Sequence, residues 1–176
     1  MKTIIIFQFL FVILLGCYKE NDPENKNPQT SPFKLSLLQP FIDDTTITNI
    51  NGTWKVLSYE DYINDSVTLK NDVSLTLIGF NGDTIVTFHD RDVIITFQNN
   101  SIYGKNTYNV VQGNYFLQKR KIKVISMYST KIGQPMWGDM FNNVILKLDS
   151  YAINNVRLRF YYNNSKNSLT LDKYNP

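Results

Sequence analysis

Apolar side chains recur at every second position along much of this chain, in short runs set off by Asn and Gly. That period belongs to a strand with one buried face, and it argues for a sheet. In Thr53-Trp54-Lys55-Val56-Leu57-Ser58-Tyr59 the alternation sets Trp54 and Val56 on one face. Val73 to Gly79 and Thr84 to Phe88 flank Phe80-Asn81-Gly82-Asp83, and Asn-Gly supplies the positive φ angles of a tight hairpin turn. His89-Asp90-Arg91-Asp92 turns the chain again into Val93 to Phe97, so three successive strands are expected to form a meander. Asn99-Asn100 leads to Ile102 and Tyr103, then a Gly-bearing loop from Gly104 to Gln112. Strands follow at Asn114 to Gln118, Lys121 to Tyr128, Val156 to Tyr162 and Ser168 to Lys173, with a short one at Val67 to Leu69.

One segment changes period. Phe141, Val144, Ile145 and Leu148 fall at i, i+3, i+4 and i+7, with Asp139 placed as an N-cap and Lys147 late in the run, which predicts a helix of about three turns. Aromatic residues make up 14% of the chain, and such side chains favour sheet. An antiparallel sheet with one apolar face hides it, and loses its edges, by closing on itself. The expected fold is therefore mainly β: a small antiparallel β-barrel or strongly curled sheet, with one α-helix before the C-terminal hairpin.

The N-terminus has a different character. Met1-Lys2-Thr3 precedes an apolar run from Ile4 to Leu15, broken only by Gln8, and the chain turns polar at once after Cys17. The run is shorter than the roughly 20 residues of a membrane-spanning helix, so it reads as a signal segment. Leu14-Leu15-Gly16-Cys17 resembles the lipobox of bacterial lipoproteins, with the three residues Leu14, Leu15 and Gly16 ahead of the lipidated Cys17. That resemblance implies cleavage after residue 16, a diacylglycerol on the Cys17 thiol and an acylated amine. The place implied is the cell envelope, at the outer membrane on its periplasmic or surface face. Residues 17–32 carry Pro23, Pro28 and Pro32 among polar side chains and read as a flexible tether. Residues 33–50 form an N-terminal extension, an irregular strand or helical turn at first. The β domain occupies 51–176. Cys17 is the only cysteine, so no intramolecular disulfide can form. A formal charge of +3 is too small to argue for nucleic acid.

The second half resembles the META domain of heat-shock-inducible envelope lipoproteins. The matching features are Val93 to Phe97, Asn109 with Gly113 and Tyr115, Ser129-Thr130-Lys131, the helix around Phe141 and Leu148, Leu158 and Leu169, with Trp54 on the opening strand. Members that carry cysteines near the central Asn and after the Thr-Lys stretch differ here, where Tyr108 precedes Asn109 and no cysteine follows Lys131. The resemblance implies a barrel-like envelope module with no catalytic residues to transfer. Gly52-Thr53-Trp54 is also similar to the Gly-x-Trp start of lipocalins, which would imply a small-ligand carrier.

Candidate chemistry is sparse. His89-Asp90-Arg91-Asp92 is the densest polar cluster, but it falls between strands where Asp favours turns, and His89 is the only histidine, short of a zinc set. No Gly-x-Ser-x-Gly elbow or phosphate loop is present. Lys119-Arg120-Lys121 with Lys123 reads as an exposed hairpin end. Trp137, in a loop between Pro135 and Gly138, joins Lys131 and Tyr128 as the candidate binding surface. No catalytic, cofactor or metal residues are assigned. The expectation is a monomeric, noncatalytic, lipid-anchored envelope protein that binds an envelope protein or ligand or serves a structural role under stress. The alternative is a lipocalin-like carrier.

Overall fold

The computed structural model describes residues 34–35, 40–70, 75–78, 85–88, 91–130 and 136–175, with 75–78 and 85–88 described by their backbone. The lipobox, the tether, the turn at 80–83, His89 and Lys131 lie outside the described residues. The strands are β1 (Gly52–Asp61), β2 (Ser66–Leu69), β3 (Leu75–Ile78), β4 (Ile85–Phe88), β5 (Val93–Gln98), β6 (Ser101–Asn106), β7 (Asn109–Gln118) and β8 (Lys121–Ser129). Helix α1 (Met136–Ile145) follows, then β9 (Leu148–Ile153), β10 (Arg157–Tyr162) and β11 (Asn167–Lys173).

Eight of these strands close into an antiparallel barrel in the order β1-β5-β6-β7-β8-β9-β10-β11, with β11 pairing back onto β1. The first half of β1 pairs with β5 and the second with β2, so β2 takes over the flank that β5 leaves. Tight turns join neighbours: Asn99 and Asn100 both have positive φ, as a two-residue hairpin turn requires. The expected meander of β3, β4 and β5 does not form. β3 and β4 pair only with each other, as a separate two-stranded sheet.

The loop expected from Gly104 to Gln112 is instead the β6–β7 hairpin, paired from Ser101↔Asn114 to Asn106↔Asn109. Its glycines do not mark turns. A Cβ on Gly104 would lie 2.1 Å from the Ile94 carbonyl oxygen, and one on Gly113 would lie 2.2 Å from that of Ser126, so both allow a close approach of backbones. The helix also begins earlier than its apolar stripe suggests. Asp139 sits in its first turn rather than capping it, and Leu148 opens β9.

Alternation fills the interior. Trp54, Val56, Ile95, Phe97, Ile102, Val111, Tyr115, Ile122, Leu158, Phe160, Leu169 and Leu171 all point inward, each no more than 3% exposed. Phe97 meets Tyr115 edge-on at 5.3 Å, and the Phe160 ring lies tilted against it at 5.5 Å. A bulge between Val56 and Ser58 shifts the register of β1, so that Tyr59 rather than Ser58 faces the core. β8 and β9 share a single registered pair, Lys121↔Ser150, and α1 is the connection between them.

The two barrel ends are closed by different devices. At the end where β6 finishes, α1 packs Trp137, Phe141, Val144 and Ile145 into the core. There Asn106 donates from Nδ2 to the Gly138 carbonyl at 3.0 Å, and Trp137 meets the Tyr59 ring edge-on at 4.8 Å. At the opposite end, where β1 begins, residues 42–51 run across the opening. The Asp44 N–H donates to the Ile153 carbonyl, the Tyr151 hydroxyl to that of Thr48, and the Trp54 indole to that of Ile50.

Candidate functional site

Of the three residues expected to form a binding surface, the structure leaves Tyr128 in place, 71% exposed on the outside of β8. Trp137 is a correction. It lies in the first turn of α1 at 0% exposure against Tyr59, so it packs the core and offers no surface. Its neighbours Pro135 and Gly138 suggested a loop, yet Gly138 is helical and buried. Lys131 is not among the described residues, but Thr130 beside it is informative. Its hydroxyl donates to Asn109 Oδ1 at 2.9 Å and accepts from the Val110 N–H at 3.1 Å. These motif residues therefore tie the start of β7 to the end of β8. Beneath the helix, Asn106 Oδ1, Thr107 Oγ1 and Trp137 Nε1 are buried with no hydrogen-bond partner among the described residues.

The basic turn between β7 and β8 divides into two roles. Arg120 is a clamp: it donates to the carbonyls of Ile47 at 2.9 Å and Asp44 at 2.8 Å, pairs with Asp43 at 3.4 Å and lies over the Tyr151 ring. It is spent on holding the segment that crosses the barrel end. Lys119, Lys121 and Lys123 remain exposed. Beside this turn runs a shallow groove of about 490 Å³ lined by Thr45, Thr48, Leu117, Lys119 and Arg120. The remains of the 89–92 cluster are structural as well: Asp92 accepts from Lys70 at 2.7 Å, and Arg91 stacks over Tyr108.

A second polar group was not foreseen. The bulge in β1 turns Ser58 and Glu60 to the outside of the barrel, level with Thr170 and Ser168 of β11. All four are nonetheless buried, with Glu60 1% exposed. Ser58 and Ser168 each donate a short hydrogen bond to the Glu60 carboxylate. Arg159 donates from Nε to Thr170 at 3.0 Å and lies under the Phe41 ring, while the Tyr62 hydroxyl is 2.7 Å from Ser168 Oγ. Burial pushes the Glu60 carboxyl above its ordinary range, opposed by the two serines and the Arg159 guanidinium. Burial together with the nearby Glu60 carboxyl also pushes the Tyr162 hydroxyl up to about 12. The serines donate to the carboxylate, and among the described residues Ser58, Glu60, Ser168 and Thr170 are all closed to solvent. Among the described residues no three His, Cys, Asp or Glu side chains gather as a metal set.

The outside of β6, β7 and β8 is the opposite case. Tyr103, Val110, Phe116, Ile125 and Tyr128 are 44–71% exposed there, five of the 11 exposed large hydrophobic residues among those described. Exposed Lys105, Lys121 and Lys123 lie between them. Residues 93–138 contain no Asp or Glu at all, a charge bias legible in the sequence once these strands are known to be neighbours.

No family model matches the sequence, and no curated protein does. Comparison with solved structures gives matches at low identity. An NMR structure of a protein from Burkholderia xenovorans matches with a TM-score of 0.54 at 12% identity, over 79% of this chain and 94% of that one. A crystal structure of a duf4847 family protein from Bacteroides vulgatus covers 71% of this chain and 95% of its own at 16% identity, with a TM-score of 0.47. The chain is thus similar in fold to the Burkholderia xenovorans protein, and at 12% identity the likeness extends to the fold alone.

Proposed function

We propose that this chain is a noncatalytic, lipid-anchored protein of the bacterial cell envelope, held at the outer membrane through Cys17. Its META-like barrel serves as a binding or structural module. The observation that carries the reading is Leu14-Leu15-Gly16-Cys17 at the junction of an apolar run and a polar stretch. A thioether-linked diacylglycerol with an acylated amine supplies more than one chain, which is what stable anchoring takes. The tie between Asn109 and Thr130 supports the META resemblance, since both belong to its motifs. A carrier needs a chamber of several hundred cubic ångströms, whose walls a water molecule could touch. The inward side chains here are closed to water, and this supports the module over the carrier.

Labelled palmitate fed to cells tests the reading. Label is expected on the wild-type chain and none on Cys17→Ser. Absence of label from the wild type, or equal label on both, would sink the anchor. Crosslinking in intact envelopes, followed by capture of each form, then identifies what the anchored barrel touches.

A further inference from the structure

The geometry points to the outer face of β6, β7 and β8 as the surface that lies on the membrane, against anionic phosphate headgroups. This deepens the lipid-anchored reading and rests on it for the nearness of a bilayer. Register brings the side chains into rows. Tyr103, Gln112 and Tyr128 face outward side by side across three strands, and Phe116 lies beside Lys123 and Gln118 beside Lys121 toward the rim. A bulge at Asn114/Tyr115 places Ile125 outward as well, 65% exposed. The other outward positions on β7 carry Val110 and Asn114, both uncharged.

Two features select a lipid surface as the occupant. The first is charge complementarity: exposed Lys105, Lys121 and Lys123 meet no carboxylate on these strands, because residues 93–138 contain none. Elsewhere on the barrel Lys70 pairs with Asp92 and Arg157 with Asp172. The second is the mixture itself. Tyrosine and lysine interleaved with Phe and Ile suit a headgroup boundary, where rings enter the interface and ammonium groups reach phosphates. A protein partner is held by anchors seated in pockets. The convex outside of a barrel suits a compliant lipid layer better.

The test uses the full chain carrying Cys17→Ser, so that no acyl chain contributes. It is mixed with vesicles of phosphatidylcholine alone or with an equal part of phosphatidylglycerol, and sedimented. Binding is expected to favour the anionic vesicles by on the order of a hundredfold, three lysines contributing roughly a factor of five each. The preference should vanish in Lys105→Gln/Lys121→Gln/Lys123→Gln and in high salt. The apolar leader is common to all forms and cancels. Phe116→Ser/Ile125→Ser should weaken binding to anionic vesicles severalfold while leaving the charge preference. Equal binding to both compositions, or a preference that survives loss of the three lysines, overturns the proposal. So does a photocrosslinker at Tyr128 that captures a protein in cells instead of lipid. Loss of the palmitate label with the vesicle preference intact would remove the anchor and leave this face standing; the reverse result would do the opposite.

Discussion

Two outer faces of one barrel handle polar and apolar groups in opposite ways. Across β10, β11 and β1, hydroxyls and a carboxylate are buried and bonded to one another, with the half-buried Arg159, Phe41 and the Tyr62 hydroxyl laid against them. Across β6, β7 and β8, aromatic and cationic side chains stand in solvent. Both faces are built on the same antiparallel ladder, so the difference comes from what lies over the sheet. A covered face must satisfy each polar atom internally, because an unpaired one costs about 1–3 kcal/mol. An open face carries no such demand, because water satisfies its polar atoms.

That contrast can be broken by single substitutions. The largest difference is expected between two phenylalanines. Phe160, on the core side of β10, is 0% exposed, and Phe160→Ala should cost about 3–5 kcal/mol. Phe116, 53% exposed, should change stability by no more than about 0.5 kcal/mol when cut to Ala. Urea unfolding of the pair decides, and similar losses would mean that the open face is covered by the chain itself.

A smaller effect is expected at Ser168→Ala, which leaves the buried Glu60 carboxylate short of one donor, at about 1–3 kcal/mol. Tyr128→Ser on the open face is the matching control and should be close to neutral. An unchanged midpoint for Ser168→Ala would show that the packed face reaches water after all.

The smallest expected effect is a slope in pH. Burial raises the Glu60 carboxyl above its ordinary 4.5, so the native state holds that proton more tightly than the unfolded chain. Stability from this group is therefore present below the ordinary value and is lost as pH climbs through the raised native one. Glu60→Gln removes the slope. Its midpoint should gain on the wild type only within that window and run parallel on either side. A constant offset would mean that the carboxyl titrates as it does in the unfolded chain.

The strands that alternate cleanly, β1, β5, β8, β10 and β11, were readable because inward and outward positions differ in polarity. The end of β6 and the first half of β7 were hidden around Gly104 and Gly113, glycines that serve a close approach only the neighbouring backbone reveals. β9 was absorbed into the helix because Leu148 also fits a helical stripe. Trp137 was misplaced because Pro and Gly flank it. The Glu60 cluster could not be foreseen, since a one-residue bulge at Leu57 decides which side chains of β1 face out.

What the sequence by itself determined is a mainly β fold with one helix, a single cysteine at a lipobox-like junction and a long stretch without acids. These follow from periodicity and composition, which act along the chain. Tertiary structure alone decided barrel closure through β1 and β11, the burial of Glu60 and Trp137, and the gathering of Tyr103, Phe116, Tyr128 and their lysines on one face. Each of those depends on register between strands distant in sequence. A shift of one residue there exchanges the inside of the barrel for the outside.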